Sequence, residues 1–214
     1  MFPICNSRTN INHPEASVDR RLHYYKKGDT IPLLYEGLWQ VCKGIVQLST
    51  LYPNGEEGIL GWVGPSMCFG HWFTFLQTHQ AKALSEVYLV SFSISEIEAS
   101  PQLCKQLLPQ VSRRLRQMEA MLAIAGLKRV EDRIHQLLLL LKQEVGEPVP
   151  EGTRLSVRLT HQDIAAAINT SRVTVTRMLG DLKRAGILTL DAKRHLIIKD
   201  SAFARIVEDS LLRI

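Results

Sequence analysis

Two arginines, Arg172 and Arg177, stand in the run Thr170-Ser171-Arg172-Val173-Thr174-Val175-Thr176-Arg177-Met178-Leu179. A guanidinium can donate two parallel hydrogen bonds, the geometry that reads O6 and N7 on the major-groove edge of guanine. At helical spacing Val175, Met178, Leu179 and Leu182 form one apolar stripe, and Arg172, Val173 and Arg177 project from the other side. Ser171 is a good N-cap, because its hydroxyl accepts an amide that the first turn leaves unpaired. The run therefore predicts a recognition helix, with Arg172 and Arg177 as its base-reading candidates. Thr160, His161, Gln162, Ser171, Thr174 and Thr176 are candidates for phosphate contacts, which position a protein on double-stranded DNA without specifying sequence.

The other chemically capable residues do not converge in the same way. Cys5, Cys42, Cys68 and Cys104 are far apart and form no CxxC pair, which argues against a zinc knuckle or a disulfide framework. His23, His71 and His79 are scattered and have no accompanying carboxylate cluster, so a cupin-type metal site is not indicated. There is neither a Ser-His-Asp pattern nor a phosphate-cradling glycine loop, and the expectation is a protein that is not an enzyme. Hydrophobic residues make up 45% of the 214 and charged residues 22%, as in ordinary globular chains. The net charge of +5 suits a polyanionic partner without specifying one. The apolar run near Leu137–Leu141 is too short to cross a bilayer. Met1–Ser17 is polar, contains Pro3 and Pro14, and lacks a signal-peptide core. A cytoplasmic location away from membranes is expected.

These residues need elements to position them. Residues 1–20 read as a loose arm. Residues 21–99 have an all-β texture, with runs at Ile31–Tyr35, Leu38–Cys42, Ile45–Leu51, Gly58–Val63 and Val87–Ser93. Turn signals separate them: Lys27-Gly28-Asp29, Lys43-Gly44, Pro53-Asn54-Gly55 and Gly64-Pro65. Short strands at regular spacing predict a sandwich or barrel-like roll.

Ser100-Pro101 then opens a helix over residues 100–127, Ser as N-cap and Pro at the first helical position. Leu108, Val111, Leu115, Met118, Leu122 and Ala125 alternate by three and four, the a/d seam of a coiled coil. This narrow stripe predicts dimerisation along the helix, with packing on the chain's own β-domain as the alternative. Pro109 predicts a kink or a broken start. A domain boundary and hinge are expected near Leu127–Val130.

Residues 128–200 form the last folded unit. Ile134, Leu137, Leu138, Leu141 and Val145 define a second helix, ended by the breaker-rich stretch Gly146–Gly152. Leu155–Leu159 alternates like a strand. Thr160 and Asp163 form a variant capping box that opens a short helix. Asn169-Thr170 turns the chain into the recognition helix, which ends at Ala185-Gly186. Ile187–Leu190 and Leu196–Lys199 form a hairpin. Helix, tight turn, helix and hairpin make a winged helix-turn-helix. Residues 201–214 read as an additional amphipathic helix with Phe203, Ile206, Val207 and Leu211.

This order of parts resembles the Crp/Fnr family of bacterial transcription regulators. Lys27-Gly28-Asp29-Thr30-Ile31, Lys43-Gly44-Ile45-Val46, Pro53-Asn54-Gly55-Glu56-Glu57 and Gly64-Pro65-Ser66-Met67-Cys68-Phe69-Gly70 look like the family's roll turns. Ser112-Arg113-Arg114-Leu115 falls where its central helix carries a similar basic motif. Ser171–Arg177 and Leu179-Gly180-Asp181-Leu182 are most similar to the family's nitrogen-control regulators. The likeness covers roughly residues 23 to 199. The resemblance implies an α+β fold with an N-terminal cyclic-nucleotide-binding-like jelly roll, a long dimerisation helix and a C-terminal winged helix-turn-helix.

The resemblance also implies an effector pocket at Gly70, His71, Trp72, Lys82, Arg114, Met118 and Glu119. The cyclic-nucleotide members offer Glu after Phe-Gly and an Arg-Ser pair beyond a short loop. Here His71 replaces that Glu, and the loop Gln77–Ala83 offers Lys82 but no arginine. The family's Thr-Ser on the central helix falls on Met118-Glu119. A response to cyclic AMP is therefore not expected, nor, less strongly, one to cyclic GMP. The nitrogen-control members bind 2-oxoglutarate. Arg114 and Glu119 resemble their central-helix ligand residues, but the roll arginine is missing, so 2-oxoglutarate is a candidate without being favoured. For Trp72, Phe73 and Phe75, core packing is favoured over a ligand cage. With only Cys5 near the N-terminus, a four-thiolate iron–sulfur site does not fit. Cys68 and His71 lie where haem-type members bind iron, but packing is the favoured role and no metal is expected.

The implied function is a homodimeric, sequence-specific DNA-binding regulator. Val173 stands where the cyclic-AMP regulators carry an acidic residue, so a thymine methyl contact replaces a cytosine contact. The resemblance thus implies a palindrome with GTA…TAC-like half-sites. RNA polymerase would be a further partner of an activator. Two alternatives stay open. One is a haem or gas sensor with the same DNA-binding end. The other is a β-roll enzyme or effector-binding protein whose helix-turn-helix mediates protein contacts.

Overall fold

The structure is a computed structural model, and it describes residues 20–203. The arm expected at the N-terminus and the tail residues Ile206, Val207 and Leu211 lie outside the described residues.

Seven strands build the roll: β1 (His23–Tyr25), β2 (Gly37–Lys43), β3 (Val46–Leu51), β4 (Glu57–Val63), β5 (Cys68–Phe69), β6 (His79–Ala83) and β7 (Val87–Ser93). They form two antiparallel sheets, ordered β1-β7-β2-β5 and β4-β3-β6. Pleating sends alternate side chains inward, so Trp39 and Val41 meet Val46, Leu48, Ala81, Ala83 and Leu89 in one buried cluster. Gly44, at φ 92, turns β2 into β3, and a Cβ there would strike the Glu86 carbonyl. Between β3 and β4 the register slips after Leu48: Leu48 pairs with Gly61 and Ser49 with Ile59. Leu60 is thus the extra residue of a β-bulge, which bends β4 towards the helices.

The run Ile31–Tyr35 is not a strand. The Ile31 amide donates to the Ala81 carbonyl at 2.8 Å, and Thr30 bridges to Lys82, but Pro32 has no N–H with which to continue a ladder. Conversely, β6 forms in the stretch read as a ligand loop.

After β7 comes α1 (Ile94–Ala99), whose start Ser93 caps by accepting from Glu96 N–H at 3.2 Å. Helix α2 (Pro101–Gly126) follows, with Ser100 as N-cap. It runs through Pro109 without a break. The carbonyl deprived of a partner there belongs to Lys105, and Lys105 and Pro109 are both exposed, so water can take it. Its buried positions are Leu107, Gln117 and Ile124, whereas Leu108, Val111, Leu115, Met118, Leu122 and Ala125 are all exposed.

Helix α3 (Val130–Val145) buries Ile134, Leu137, Leu138, Leu141 and Val145. The breaker-rich stretch after it is not a loop. It forms β8 (Gly146–Val149), which pairs with β9 (Gly152–Leu155). Pro148 is tolerated because β8 is an edge strand. The strand expected at Leu155–Leu159 therefore ends where it was to begin. Val157 and Leu159 still face inward, but from irregular chain.

Helices α4 (His161–Ala167) and α5 (Arg172–Arg184) follow, then β10 (Leu188–Leu190) and β11 (Leu196–Ile198). The third sheet is ordered β10-β11-β9-β8. One buried cluster joins Ile59 and Trp62 of β4 to Ile124 of α2, to α3, and to Ile164, Val175 and Leu179 of the helix pair. The C-terminal part thus leans on the roll through β4.

Candidate nucleic-acid interface

The helix pair is set by local chemistry. Thr160 Oγ1 accepts from the Asp163 amide at 3.1 Å, and the Asp163 carboxylate accepts from the Thr160 amide at 2.7 Å, closing a capping box on α4. Asn169, at φ 50, makes the turn, a conformation Asn adopts more readily than most residues. Ser171 caps α5 by accepting from the Thr174 amide at 3.1 Å. Gly186, at φ 71, ends it.

Helix α5 buries Val175, Met178, Leu179 and Leu182. Arg172, Val173, Thr176 and Arg177 are exposed, with Val173 at 78%. At 3.6 residues per turn these four span an arc of about 140°, opposite the buried stripe. The arrangement is a rigid helix that offers two guanidinium forks with an aliphatic side chain between them.

The proposed phosphate group is less uniform. Thr160, Ser171 and Thr176 are exposed, and His161 and Thr174 are partly so. His161 Nδ1 lies 2.7 Å from Thr176 Oγ1, and Thr176 Oγ1 donates to the Arg172 carbonyl at 2.9 Å, so this hydroxyl's proton is already committed. Burial, then Lys183 and Arg172, pushes the His161 imidazole below its ordinary range. Gln162 is exposed but lines a cavity shared with the roll.

One feature went unread in the sequence. Arg133 of α3 donates from Nη1 to the Ile168 carbonyl at 2.7 Å and to the Asn169 carbonyl at 3.3 Å. It braces the turn that aims α5. The β10–β11 tip exposes Lys193 and Arg194. Asp191 closes this tip, accepting from the His195 amide at 2.7 Å, with His195 Nδ1 at 2.9 Å and Arg154 at 3.4 Å. Burial raises the Asp191 pKa, but these partners outweigh it and hold the carboxyl at about 2. The basic pair Lys193-Arg194 thus lies at the tip of the hairpin expected from the sequence. No sequence signal pointed to the role of Arg133.

The cavity occupies about 880 Å³ between the roll, α2 and the helix pair. Of the expected effector residues, Gly70, Arg114 and Met118 line it, together with Leu48, Phe69 and His79. His71, Trp72, Lys82 and Glu119 do not. His71 stacks on Tyr35 with centroids 5.1 Å apart, and Trp72, Lys82 and Glu119 are exposed. The core-packing role expected for Trp72, Phe73 and Phe75 is not seen: all three are exposed. Arg114 donates to Gln117 Oε1 and, at 3.3 Å, to the Leu60 carbonyl. Burial lowers its guanidinium to about 10, still protonated at neutral pH. Neither ring nitrogen of His79 has a partner among the described residues, and burial, then Arg114 and His71, lowers its pKa to about 4. Cys68 packs with Leu38, Phe92, Ile97 and Leu107 and donates to Gln110 Oε1 at 2.8 Å. Burial pushes this thiol up, away from the thiolate that ligates iron. Among the described residues no three His, Cys, Asp or Glu side chains converge as a metal set, and no helix is long and apolar enough to cross a membrane.

Residues 132–202 match the Crp-like helix-turn-helix domain. Over 170 residues the chain is 34% identical to the global nitrogen regulator of Synechocystis, covering 74% of this chain and 75% of that protein. The chain belongs to the Crp/Fnr family. Another Crp/Fnr relative, a CRP-like cAMP-activated global transcriptional regulator of Mycobacterium tuberculosis, is 31% identical over 175 residues, 78% of each chain. The fold matches a CRP-family transcriptional regulator of Thermus thermophilus with a TM-score of 0.73 at 22% identity, covering 87% of this chain and 96% of that one. These relatives are regulators, and the one from Mycobacterium tuberculosis is a cAMP-activated transcriptional regulator. This member is accordingly a Crp/Fnr-type regulator with a helix-turn-helix DNA-binding domain.

Proposed function

We propose that the protein is a homodimer that reads a palindromic DNA site with GTA…TAC-like half-sites and does not answer to cyclic AMP. The observation that carries this reading is the exposed arc Arg172, Val173, Thr176 and Arg177 on a helix whose opposite face is buried. Each arginine can fork onto a guanine, and Val173 can meet a thymine methyl. Thr160, His161, Gln162, Ser171, Thr174 and Thr176 flank this arc as positioning contacts to phosphates. Gln162 must then leave the cavity wall, and Thr176 must release the Arg172 carbonyl to donate to a phosphate oxygen.

The exposed seam Leu108–Ala125 supports the dimer, since a narrow apolar stripe on a helix needs a second helix. A two-fold axis along α2 would set two copies of α5 into successive major grooves, roughly 34 Å apart. The cavity beside Arg114 and Met118 supports an effector site. The outward Lys82 and the absence of an arginine from Gln77 to Ala83 speak against a nucleotide phosphate there. The buried, neutral Cys68 thiol speaks against the haem-sensor reading.

Binding of the Arg177→Ala variant to a panel of single-base variants of a bound site tests the assignment. Discrimination at one position per half-site should relax, with a loss of about 1–3 kcal/mol. An equal loss on every sequence would make Arg177 a phosphate contact.

A further inference from the structure

His161, the first residue of α4, is joined to α5 by a hydrogen bond whose direction is fixed. Its Nδ1 lies 2.7 Å from Thr176 Oγ1. A hydroxyl has one hydrogen to give, and Thr176 gives it to the Arg172 carbonyl at 2.9 Å. Oγ1 therefore meets Nδ1 as an acceptor, and Nδ1 carries a hydrogen. The same holds when the hydroxyl turns its hydrogen to a phosphate oxygen instead. In the neutral ring the other nitrogen, Nε2, is then an acceptor only. The imidazole is partly exposed, and among the described residues nothing pairs with Nε2.

An acceptor cannot bind a phosphodiester oxygen, which offers only lone pairs. Contact at Nε2 needs a second hydrogen on the ring, and the protein's own charges oppose it. Burial, then Lys183 and Arg172 of α5, holds the imidazole below its ordinary range and so neutral at pH 7.5. Asp163 on α4 is engaged with the Thr160 amide. Strand β4, packed on α4, has Glu57 as its one charged residue and leaves it exposed. No carboxylate of the protein is thus placed to hold the ring charged. An opposite charge within about 4–6 Å favours the charged form, and a DNA backbone brings one.

We propose that His161 meets DNA as an imidazolium, with Nδ1–H held by Thr176 and Nε2–H donated to a phosphodiester oxygen, so that each protomer takes up one proton from solvent on binding. The inference rests on the phosphate reading of His161 above. It makes DNA affinity rise as pH falls, because the bound state holds the extra proton.

Calorimetric titration of the full chain with a duplex carrying GTA…TAC-like half-sites, in buffers of differing ionisation enthalpy, counts the protons. Near pH 7 uptake by the wild type should approach about one proton per protomer. At fixed salt its affinity should rise several-fold from about pH 8 to about pH 6. His161→Gln keeps a neutral donor and should lose both effects. His161→Arg, permanently charged, should bind tightly at either pH and take up no proton. At about pH 6 the salt slope of the wild type should exceed that of His161→Gln by about 0.9 per protomer. Binding without uptake would mean that Thr176 donates to Nδ1 and that a neutral Nε2–H meets the DNA. That result, or uptake retained in His161→Gln, would overturn the inference and leave the phosphate reading standing. A His161→Gln variant with wild-type affinity at both pH values, or a wild type that retains no DNA at low salt, would overturn the phosphate reading and this inference with it.

Discussion

Gln117 of α2 pairs with both backbone polar groups of Trp62 in β4. Its Oε1 accepts from the Trp62 amide at 3.1 Å, and its Nε2 donates to the Trp62 carbonyl at 2.9 Å. Gln117 is 1% exposed. Arg114, one turn earlier, donates to the same Oε1 and to the Leu60 carbonyl. Gly61 lies between these partners at φ 136, and a Cβ there would collide with Gln117 and Arg114. The bulge of β4 is thus shaped to receive two polar side chains from the helix that carries the proposed seam.

Gln117→Leu should destabilise the fold by about 2–4 kcal/mol, because it strands a buried N–H and a buried C=O at roughly 1–3 kcal/mol each. Urea unfolding measures this. Gly61→Ala should destabilise too, through its strained φ and the collision with the clip. A loss below about 0.5 kcal/mol in both would mean that the clip does not hold α2 to the roll.

Arg133→Ala should weaken DNA binding about tenfold or more on every sequence. The loss follows from releasing two carbonyls at the α4–α5 turn, where a charged hydrogen bond contributes roughly 1.5–3 kcal/mol. Arg133 aims the recognition helix without itself touching phosphate, so the slope of log affinity against log salt should stay unchanged. Arg133→Lys should recover part of the affinity, since an ammonium can reach one of the two carbonyls. A salt slope reduced by about one would instead make Arg133 a phosphate contact.

Stability should fall as pH drops from about 6.5 towards 4. The His79 imidazole is held at about 4 in the folded chain against an ordinary 6.5. In that window the unfolded chain binds more protons than the folded one, so acid favours unfolding, and the contribution is fully present above about 6.5. Arg114 and His71 face His79 and add to the shift. Burial also holds His135 down, which steepens the same slope. Melting temperatures between pH 7.5 and 4.5 should show the decline, and His79→Gln should flatten it. An identical slope in that variant would show that His79 is not a buried neutral group.

The parts of this molecule governed by local chemistry were legible in the sequence. Ser100, Thr160 and Ser171 cap the helices they were expected to cap, and the stripe Val175–Leu182 is buried as its spacing indicated. The turns at Gly28, Gly44 and Gly55 carry the positive φ that only glycine takes cheaply. Features decided by distant partners were not legible. Pro148 looks like a breaker until β9 makes β8 an edge. Gln117 lies off the expected seam, and only the bulge at Leu60 presents it with the Trp62 backbone. Lys82 looked able to supply charge to a pocket, but β6 turns it outward and leaves His79 at the cavity.

The central claim is that two copies of α5 read a two-fold symmetric site through Arg172, Val173 and Arg177. Selection of bound fragments from random DNA, followed by salt-dependent gel shifts, tests it most directly. The account predicts enrichment of a palindrome with GTA…TAC-like half-sites about one helical turn apart, lost on Arg172→Ala/Arg177→Ala substitution. An asymmetric enriched site, or no DNA retained at low salt, would contradict it.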